Sequence, residues 1–238
     1  MKKRLIASIL LLALLPAASS AATAKKPAPK PAPAKAANWG DTVNVTPEGA
    51  YVIGNPAAKV KLVEYLSLTC PHCAHMAGEE MPPLKRDYIA KGLVSLEVRH
   101  AIRDGYDFAG SMLVRCQPHS GYLPSIEGLF ATQTTWFEKA MAASNDPAFE
   151  KLTPAAKMQF VAKAAGFDAY FAKRGMAPAR FNECLADPKG QKALEDMADR
   201  AWNKDSIPGT PAFRLNGEML GSLGSWSELE AKIKAALS

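Results

Sequence analysis

The chain has 238 residues and a formal net charge of +6 at pH 7. Residues 1–38 hold seven basic residues and no acidic residue, whereas residues 39–238 hold 22 basic and 23 acidic residues. The larger part therefore has no basic excess, which argues against nucleic-acid binding. Its length suits one large domain or a domain that carries an insertion.

The first 24 residues resemble a secretory signal peptide. A basic start at 1–4 precedes an apolar stretch at 5–15 that is too short to span a bilayer, and small residues follow, with cleavage expected after Ala21 or Ala24. An uncleaved membrane anchor is the alternative. Because the Lys-Lys-Arg start is typical of bacterial signals, we expect export to a periplasm, where disulfides persist.

Residues 25–38 are predicted to form a disordered spacer rich in proline, alanine and lysine. The stretch begins KKPAPKPAPAKAA, which offers nothing to bury and favours an extended, polyproline-like chain. A proline-rich ligand for a partner protein is the alternative.

The folded part is expected to begin at Trp39 with two short strands, at 42–45 and 50–53. An apolar run at 60–68 then predicts a buried strand. It ends just before Cys70, and the next residues predict a helix.

Pro71 suits the first position of that helix, because its φ is already helical and the N–H that it lacks would be unpaired there. Pro82-Pro83 is expected to break or kink the helix before a second helical piece at 84–91. A strand at 93–102 completes a βαβ unit, whose two strands should be parallel.

Helix signals dominate from residue 105 to residue 204. Proline stands at three first helical positions, Pro154, Pro178 and Pro188, and Asp168 is expected to cap a helix at 169–174. We interpret this block as a helical insertion.

The α/β pattern returns after residue 204. A strand at 212–215, an Asn216-Gly217 turn and a return strand at 218–220 predict a hairpin, and a last helix follows at 226–237. The fold class is therefore α/β with an inserted all-helical domain: one part at 39–104, the insertion at 105–204 and the second part at 205–238.

The chemistry of the chain is expected at Cys70-Pro71-His72-Cys73. The two cysteines, three apart at a strand-to-helix junction, are close enough to form a disulfide, and such a dithiol is used for thiol–disulfide exchange. Helix N–H groups, the helix dipole and His72 should lower the pKa of the nucleophile Cys70. A structural disulfide or half of a zinc site is the alternative.

The order of these elements, together with Cys70-Pro71-His72-Cys73 and Gly209-Thr210-Pro211, resembles the DsbA-like thiol–disulfide oxidoreductases of the thioredoxin superfamily. The resemblance covers about residues 40–238 and implies a thioredoxin-like fold with a helical insertion. It implies a cis-proline at Pro211 beside the active site, where the Thr210 backbone would bind an extended substrate chain. It also places Glu64 on the family's buried acid, expected to relay the proton of Cys73; an acid at a strand edge, paired with Lys61 or solvated, is the alternative.

The resemblance implies an oxidase that donates its disulfide to unfolded or newly exported proteins. It implies no bound cofactor and reoxidation by a DsbB-like membrane partner. Thr210 stands where the best-known oxidase has valine, so a reductase or isomerase remains the alternative. The isomerase relatives carry a folded dimerisation domain where this chain has the spacer, which favours a monomer.

Cys116 and Cys184, both in the helical block, are expected to form a second, structural disulfide in an oxidising compartment. Two buried thiols are the alternative. We interpret His75 as a solvated helix residue, and we identify no partners for His100 or His119.

Overall fold

The computed structural model describes residues 38–238. The signal peptide predicted at 1–24 and residues 25–37 of the predicted spacer lie outside them. In the part of the chain that is described, no helix is both long and apolar enough to cross a membrane.

A six-stranded sheet in the order β1-β2-β4-β3-β5-β6 forms the centre of the molecule. Its strands are Val43–Val45 (β1), Tyr51–Gly54 (β2), Val60–Leu66 (β3), Val94–His100 (β4), Ala212–Leu215 (β5) and Glu218–Gly221 (β6). β3 pairs in parallel with β4 and antiparallel with β5, which confirms the predicted βαβ unit. β3 is therefore a central strand, and six of its seven residues are buried.

The helix after β3, Pro71–Pro83 (α1), ends as an α-helix at its second proline, and the predicted second helical piece follows without a gap, so the chain does not break there. It continues directly as a π-helix over Leu84–Ile89, and the Leu84 N–H still bonds to the carbonyl oxygen of Glu80. The prolines remove two N–H groups from the hydrogen-bond ladder. The ladder resumes with the wider spacing of a π-helix, so the helix changes its pitch instead of stopping.

All the regular secondary structure between β4 and β5 is helical. The helices are Gly105–Arg115 (α2), His119–Ala131 (α3), Gln133–Ser144 (α4), Pro147–Glu150 (α5), Pro154–Ala164 (α6), Phe167–Ala172 (α7), Pro178–Ala186 (α8), Pro188–Asp199 (α9) and a π-helix at Arg200–Lys204. The three predicted proline starts are confirmed, and the Thr153 and Asp187 side chains accept N–H bonds at their caps.

The predicted cap at Asp168 is wrong. α7 begins at Phe167, two residues earlier than that cap would allow, and Gly166 occupies the N-cap with a φ of 76°. A positive φ of this kind costs glycine little, whereas it strains residues that carry a Cβ. Asp168 therefore lies in the first turn, where its carboxylate accepts the Ala169 N–H.

The end of the chain folds as the pattern predicts. Asn216 and Gly217 both have positive φ, 48° and 90°, as a tight hairpin turn between β5 and β6 requires. The Ser225 side chain accepts the Glu228 N–H and caps the last helix, Trp226–Leu237 (α10).

The helical block shares one hydrophobic core with the sheet. Buried residues of β3, α1, α2, α7 and β5 belong to a single cluster. Helix α2 packs tightly against the residues that follow β3, since a Cβ on Gly110 of α2 would lie only 3.0 Å from the side chain of Leu68. The insertion therefore packs directly against the end of the strand that leads to Cys70.

A disulfide joins Cys116, at the end of α2, to Cys184 of α8, with the Cα atoms 6.0 Å apart. The predicted second disulfide is therefore confirmed, and the alternative of two buried thiols is wrong.

Candidate active site

Cys70 occupies the N-cap of α1, with an extended backbone (φ −82°, ψ 119°), and Pro71 is the first helical residue. The local sequence accounts for this arrangement, because β3 ends four residues earlier and Pro71 fixes the helix start. The Cys70 sulfur is therefore next to the unpaired N–H groups of a helix N-terminus.

The two cysteines of the motif are both reduced and buried, with Cys70 2% exposed and Cys73 0% exposed. The Cys73 thiol donates a hydrogen bond to Cys70 Sγ, and this bond is the largest cause that lowers the pKa of Cys70, to about 5. The Thr210 side chain and the main-chain N–H groups of Cys73 and His72 lower it further, while burial opposes them. Burial and the neighbouring Cys70 sulfur raise the pKa of Cys73. One sulfur is thus built to be a thiolate and the other a thiol.

The main-chain N–H of His72 lowers the pKa of Cys70. The sequence had suggested that the imidazole ring would do so. The ring itself is exposed and borders the cleft in front of the sulfur.

Pro211 stands where the motif predicts it, beside Cys70, and its peptide bond with Thr210 is cis. The Thr210 carbonyl oxygen lies 3.1 Å from Cys70 Sγ and accepts its thiol hydrogen when the sulfur is protonated. Thr210 therefore contributes both a donor that favours the thiolate and an acceptor that favours the thiol.

Glu64 lies on β3, flanked by Val98 of β4 and Phe213 of β5, and is 0% exposed. The alternative of an acid at a strand edge is therefore wrong. Burial raises the pKa of Glu64 to about 7, and a hydrogen bond with Glu80 opposes this rise. The charge of Glu64 contributes to the raised pKa of Cys73.

Glu80 of α1 is a buried acid that the sequence interpretation missed. It is 0% exposed, and burial, together with the charge of Glu64, raises its pKa well above the usual range. One signal was available: Glu80 follows Cys73 by seven residues, which places the two on the same face of a helix.

Three polar residues of the helical block hold the loop that carries Cys70, and sequence analysis predicted none of them. Gln133 Nε2 of α4 donates to the carbonyl oxygens of Leu68 (2.7 Å) and Cys70 (2.9 Å). Asp107 Oδ1 accepts the Leu68 N–H at 2.9 Å, and Asp104 Oδ2 accepts the Thr69 hydroxyl at 2.6 Å. The insertion therefore fixes the backbone just before the nucleophile.

His100, for which sequence analysis identified no partner, is fully buried between two hydroxyl groups. Its Nδ1 lies 2.9 Å from Ser111 Oγ and its Nε2 lies 2.9 Å from the Tyr122 hydroxyl. Burial lowers the pKa of His100 to about 3, so the ring is neutral and has a structural role. His75 is exposed on α1, as expected, and lies 3.2 Å from Glu79.

A cleft of about 290 Å³ opens in front of the dithiol. Two of the residues that line this cleft were not predicted from the sequence: Arg103, which follows β4, and Trp202, from the π-helix after α9. Its lining consists of Cys70, Pro71, His72, Arg103, Trp202, Gly209 and Thr210. A larger cavity of about 720 Å³ near α9 shares no residue with it. Within residues 38–238, no group of three or more His, Cys, Asp or Glu side chains is arranged as a metal site.

Comparison with known proteins places this geometry in context. A family model described as thioredoxin matches residues 46–235. The crystal structure of a protein-disulfide isomerase from Novosphingobium aromaticivorans is 31% identical, with a TM-score of 0.72, over 79% of this chain and 96% of that one. Alpha-DsbA1 from Wolbachia pipientis shares the fold at 20% identity, with a TM-score of 0.66, over 81% of this chain and 93% of that one.

Curated relatives are longer than this chain. A Rickettsia bellii protein, provisionally named a protein-disulfide oxidoreductase, is 28% identical over 171 residues, which make up 71% of this chain and 58% of the relative. The chain spans only 54–58% of the length of the curated relatives that it matches.

Proposed function

The chain belongs to the thioredoxin family, within its DsbA-like group of thiol–disulfide oxidoreductases, and from this premise we propose that it oxidises substrate thiols by donating a Cys70–Cys73 disulfide. The proposed substrates are unfolded or newly exported proteins. No bound cofactor is needed for this exchange, because the two sulfurs carry the electrons.

The observation that carries the proposal is the place of Cys70 at the N-cap of α1, beside Thr210, where the Cys73 thiol and the helix N–H groups lower its pKa. A thiol whose pKa is lower in the folded than in the unfolded protein stabilises the folded, reduced form. The stabilisation is complete above the unfolded pKa, about 8.5, and is lost as the pH falls from there through about 5. At neutral pH part of it is present, so the reduced enzyme is stabilised relative to a dithiol with ordinary pKa values. A disulfide whose reduction is favoured in this way is a strong oxidant of other thiols.

The exchange follows from the positions of the two sulfurs. A substrate thiolate attacks Cys70 Sγ, the only one of the pair that borders the cleft, and the Cys70–Cys73 bond breaks with its electron pair on Cys73 Sγ. That sulfur takes a proton from Glu64, since its raised pKa makes it a poor thiolate. A second substrate thiol loses its proton to solvent and attacks the mixed disulfide as a thiolate, which forms the substrate disulfide and releases Cys70 as its stable thiolate.

We further propose export to a periplasm, reoxidation by a DsbB-like membrane partner and function as a monomer. The Cys116–Cys184 disulfide supports an oxidising compartment, because such bonds rarely persist in a reducing cytosol. The signal-like residues 1–24 support export. Recovery of Cys73→Ser from cells, with covalent partners identified on Cys70, would test both substrates and recycling partner.

The decisive experiment is the redox equilibrium of the Cys70–Cys73 pair with glutathione, measured on the wild type with Cys70→Ser as the control. We expect a potential well above that of thioredoxin, whose value is about −270 mV, together with fast oxidation of a reduced, unfolded test protein. A potential as low as that of thioredoxin would contradict the oxidase proposal and leave a reductase.

Isomerisation is the second candidate, because the relative at 31% identity has a title that calls it a protein-disulfide isomerase. The two candidates differ in the substrate that they need. An oxidase acts on a fully reduced protein with its own disulfide as the oxidant, whereas an isomerase rearranges a scrambled protein while kept reduced. Faster recovery of the scrambled protein than of the reduced one would favour isomerisation.

A further inference from the structure

Two buried carboxyl groups meet between the sheet and α1, the helix that carries the dithiol. Glu64 comes from β3 and Glu80 from α1, and each is 0% exposed. None of their four oxygen atoms has a hydrogen-bond partner of standard geometry among residues 38–238. Each carboxyl instead acts on the pKa of the other, so the two groups are neighbours. A buried acid without a partner is costly, so the pair requires an explanation.

The surroundings of the pair contain no compensating charge. Glu64 is paired across the sheet with Val98 and Phe213, and the buried residues of α10, which packs on β3, are Leu229 and Ile233. Besides Glu80, the ionisable groups that respond to the charge of Glu64 are Cys73 on α1 and Tyr122 on α3. No basic side chain contributes to the pKa of either acid, so only protons can neutralise them.

The two acids are not equivalent. The charge of Glu64 acts on Cys73, whereas Glu80 lies seven residues beyond Cys73 in α1, about two helical turns away along the helix. Burial raises the pKa of both carboxyls, and the charge of Glu64 raises that of Glu80 further, so the pair retains at least one proton. A protonated carboxyl can donate its O–H to a neighbouring carboxylate, and such a hydrogen bond stabilises the charged partner.

We propose that Glu80 is a positioning residue of the exchange reaction, which stays protonated and donates a hydrogen bond to Glu64, so that Glu64 can take and return the proton of Cys73. This inference rests on the proposed function.

The proton balance is as follows. When the Cys70–Cys73 bond opens, its electron pair goes to Cys73 Sγ, which takes the proton of Glu64 and leaves a Glu64 carboxylate held by Glu80. When the bond forms again on the enzyme, the Glu64 carboxylate takes that proton from Cys73, and the freed sulfur attacks Cys70 in the mixed disulfide. The Glu80 proton is not consumed in either direction.

The experiment compares Glu80→Leu with Glu80→Gln in the full chain, because glutamine keeps a donor and leucine does not. We measure the pH dependence of the step in which Cys73 resolves a glutathione mixed disulfide on Cys70. We expect leucine to move its midpoint to higher pH and to slow the step about 10- to 100-fold at pH 7, the usual effect of losing a hydrogen bond to a charged group. Glutamine should keep the midpoint, as should Glu79→Leu, which alters the exposed neighbouring acid.

An unchanged midpoint in Glu80→Leu, or an equal shift in Glu80→Gln, would overturn the inference while leaving the oxidase proposal intact. Infrared spectroscopy detects protonated carboxyl groups directly, without thiol chemistry. It compares the wild type with Glu80→Gln, so the inference can still be tested if Glu80→Leu does not fold. The wild type should retain a protonated-carboxyl band at a pH where Glu64 is ionised, and Glu80→Gln should lack it. A band that persists in Glu80→Gln, or is absent from the wild type, would also overturn the inference.

Discussion

At the scale of single residues, the chemistry depends on an asymmetry between two sulfurs three positions apart. Cys70 lies at a helix N-cap and receives hydrogen bonds, whereas Cys73 is fully buried in the first turn and donates one. The same bond lowers the pKa of one thiol and raises that of the other. Each cysteine therefore has a separate role in the exchange.

This asymmetry predicts a difference between two substitutions of Cys73. Cys73→Ala removes the hydrogen bond that is the largest cause of the lowered Cys70 pKa, so that pKa should rise by about 1 to 2 units from its value of about 5. Cys73→Ser keeps a donor and should change it less. The pH dependence of Cys70 alkylation, or of thiolate absorbance, measures both. Equal pKa values in the two variants would show that the helix amides alone stabilise the thiolate.

At the scale of elements, the active-site loop is supported from two sides. The hairpin of β5 and β6 follows Thr210, whose carbonyl oxygen lies against Cys70 Sγ. The helical block supplies Gln133, Asp104 and Asp107 to the loop at 67–70. The insertion is therefore part of the active-site structure and is continuous with the core beneath it.

Gln133→Leu tests this support. The substitution leaves the carbonyl oxygens of Leu68 and Cys70 without their donor, so we expect the free energy of unfolding to fall by about 2 to 4 kcal/mol. The rate of thiol exchange at Cys70 should fall as well. Denaturant titration and exchange kinetics measure the two effects. Thr134→Leu, at an exposed site of the same helix, is the control, and equal behaviour of both variants would contradict the role of Gln133.

The Cys116–Cys184 disulfide acts within the helical block and shares no residue with the dithiol cleft. Its cysteines are 68 residues apart, and loop closure of that length in the unfolded chain corresponds to an upper limit of about 4 kcal/mol. We expect the double variant Cys116→Ala/Cys184→Ala to lose about 2 to 4 kcal/mol of stability and to keep the Cys70 pKa. A changed thiol titration would instead indicate that this disulfide influences the active site.

At the scale of the whole molecule, several ionisable groups are buried in their neutral forms. Burial raises the pKa of Glu64, Glu80 and Asp107, while it lowers that of His100 to about 3. A carboxyl with a raised pKa stabilises the fold below its unfolded pKa, and that contribution is lost as the pH rises through the folded value. A histidine with a lowered pKa has the opposite effect between about 3 and its unfolded pKa near 6.5.

The carboxyls outnumber the histidine, so the oxidised protein should lose stability as the pH rises from 5 to 7. Each proton that is bound in the folded but not in the unfolded state changes the free energy of unfolding by about 1.4 kcal/mol per pH unit. Three carboxyls bind one more proton each when folded and His100 binds one fewer, which leaves a difference of two protons. The slope is therefore at most about 3 kcal/mol per pH unit. The oxidised form is used because Cys70 does not titrate in it. Chemical denaturation across this range measures the slope, which should be shallower in Glu64→Gln/Glu80→Gln. Stability that increases from pH 5 to 7 would contradict the assignment.

The sequence by itself determined the parts of the protein that depend on neighbouring residues. Cys70 before Pro71, the proline-led helices and the Asn216-Gly217 turn are local signals, because helix starts and tight turns are decided within one or two turns of chain. The resemblance drawn from Cys70-Pro71-His72-Cys73 and Gly209-Thr210-Pro211 also implied the cis-proline at Pro211, next to the Thr210 that contacts Cys70.

Only the tertiary structure decided which polar groups meet inside the molecule. Gln133 binds the Cys70 carbonyl from 63 residues away, Glu80 meets Glu64 between two layers, and His100 is enclosed by two hydroxyl groups. A single sequence shows that such residues are polar but not what they will face. The cost of burying a polar group depends on its partner, and that partner comes from a distant segment which only the packed fold brings into contact.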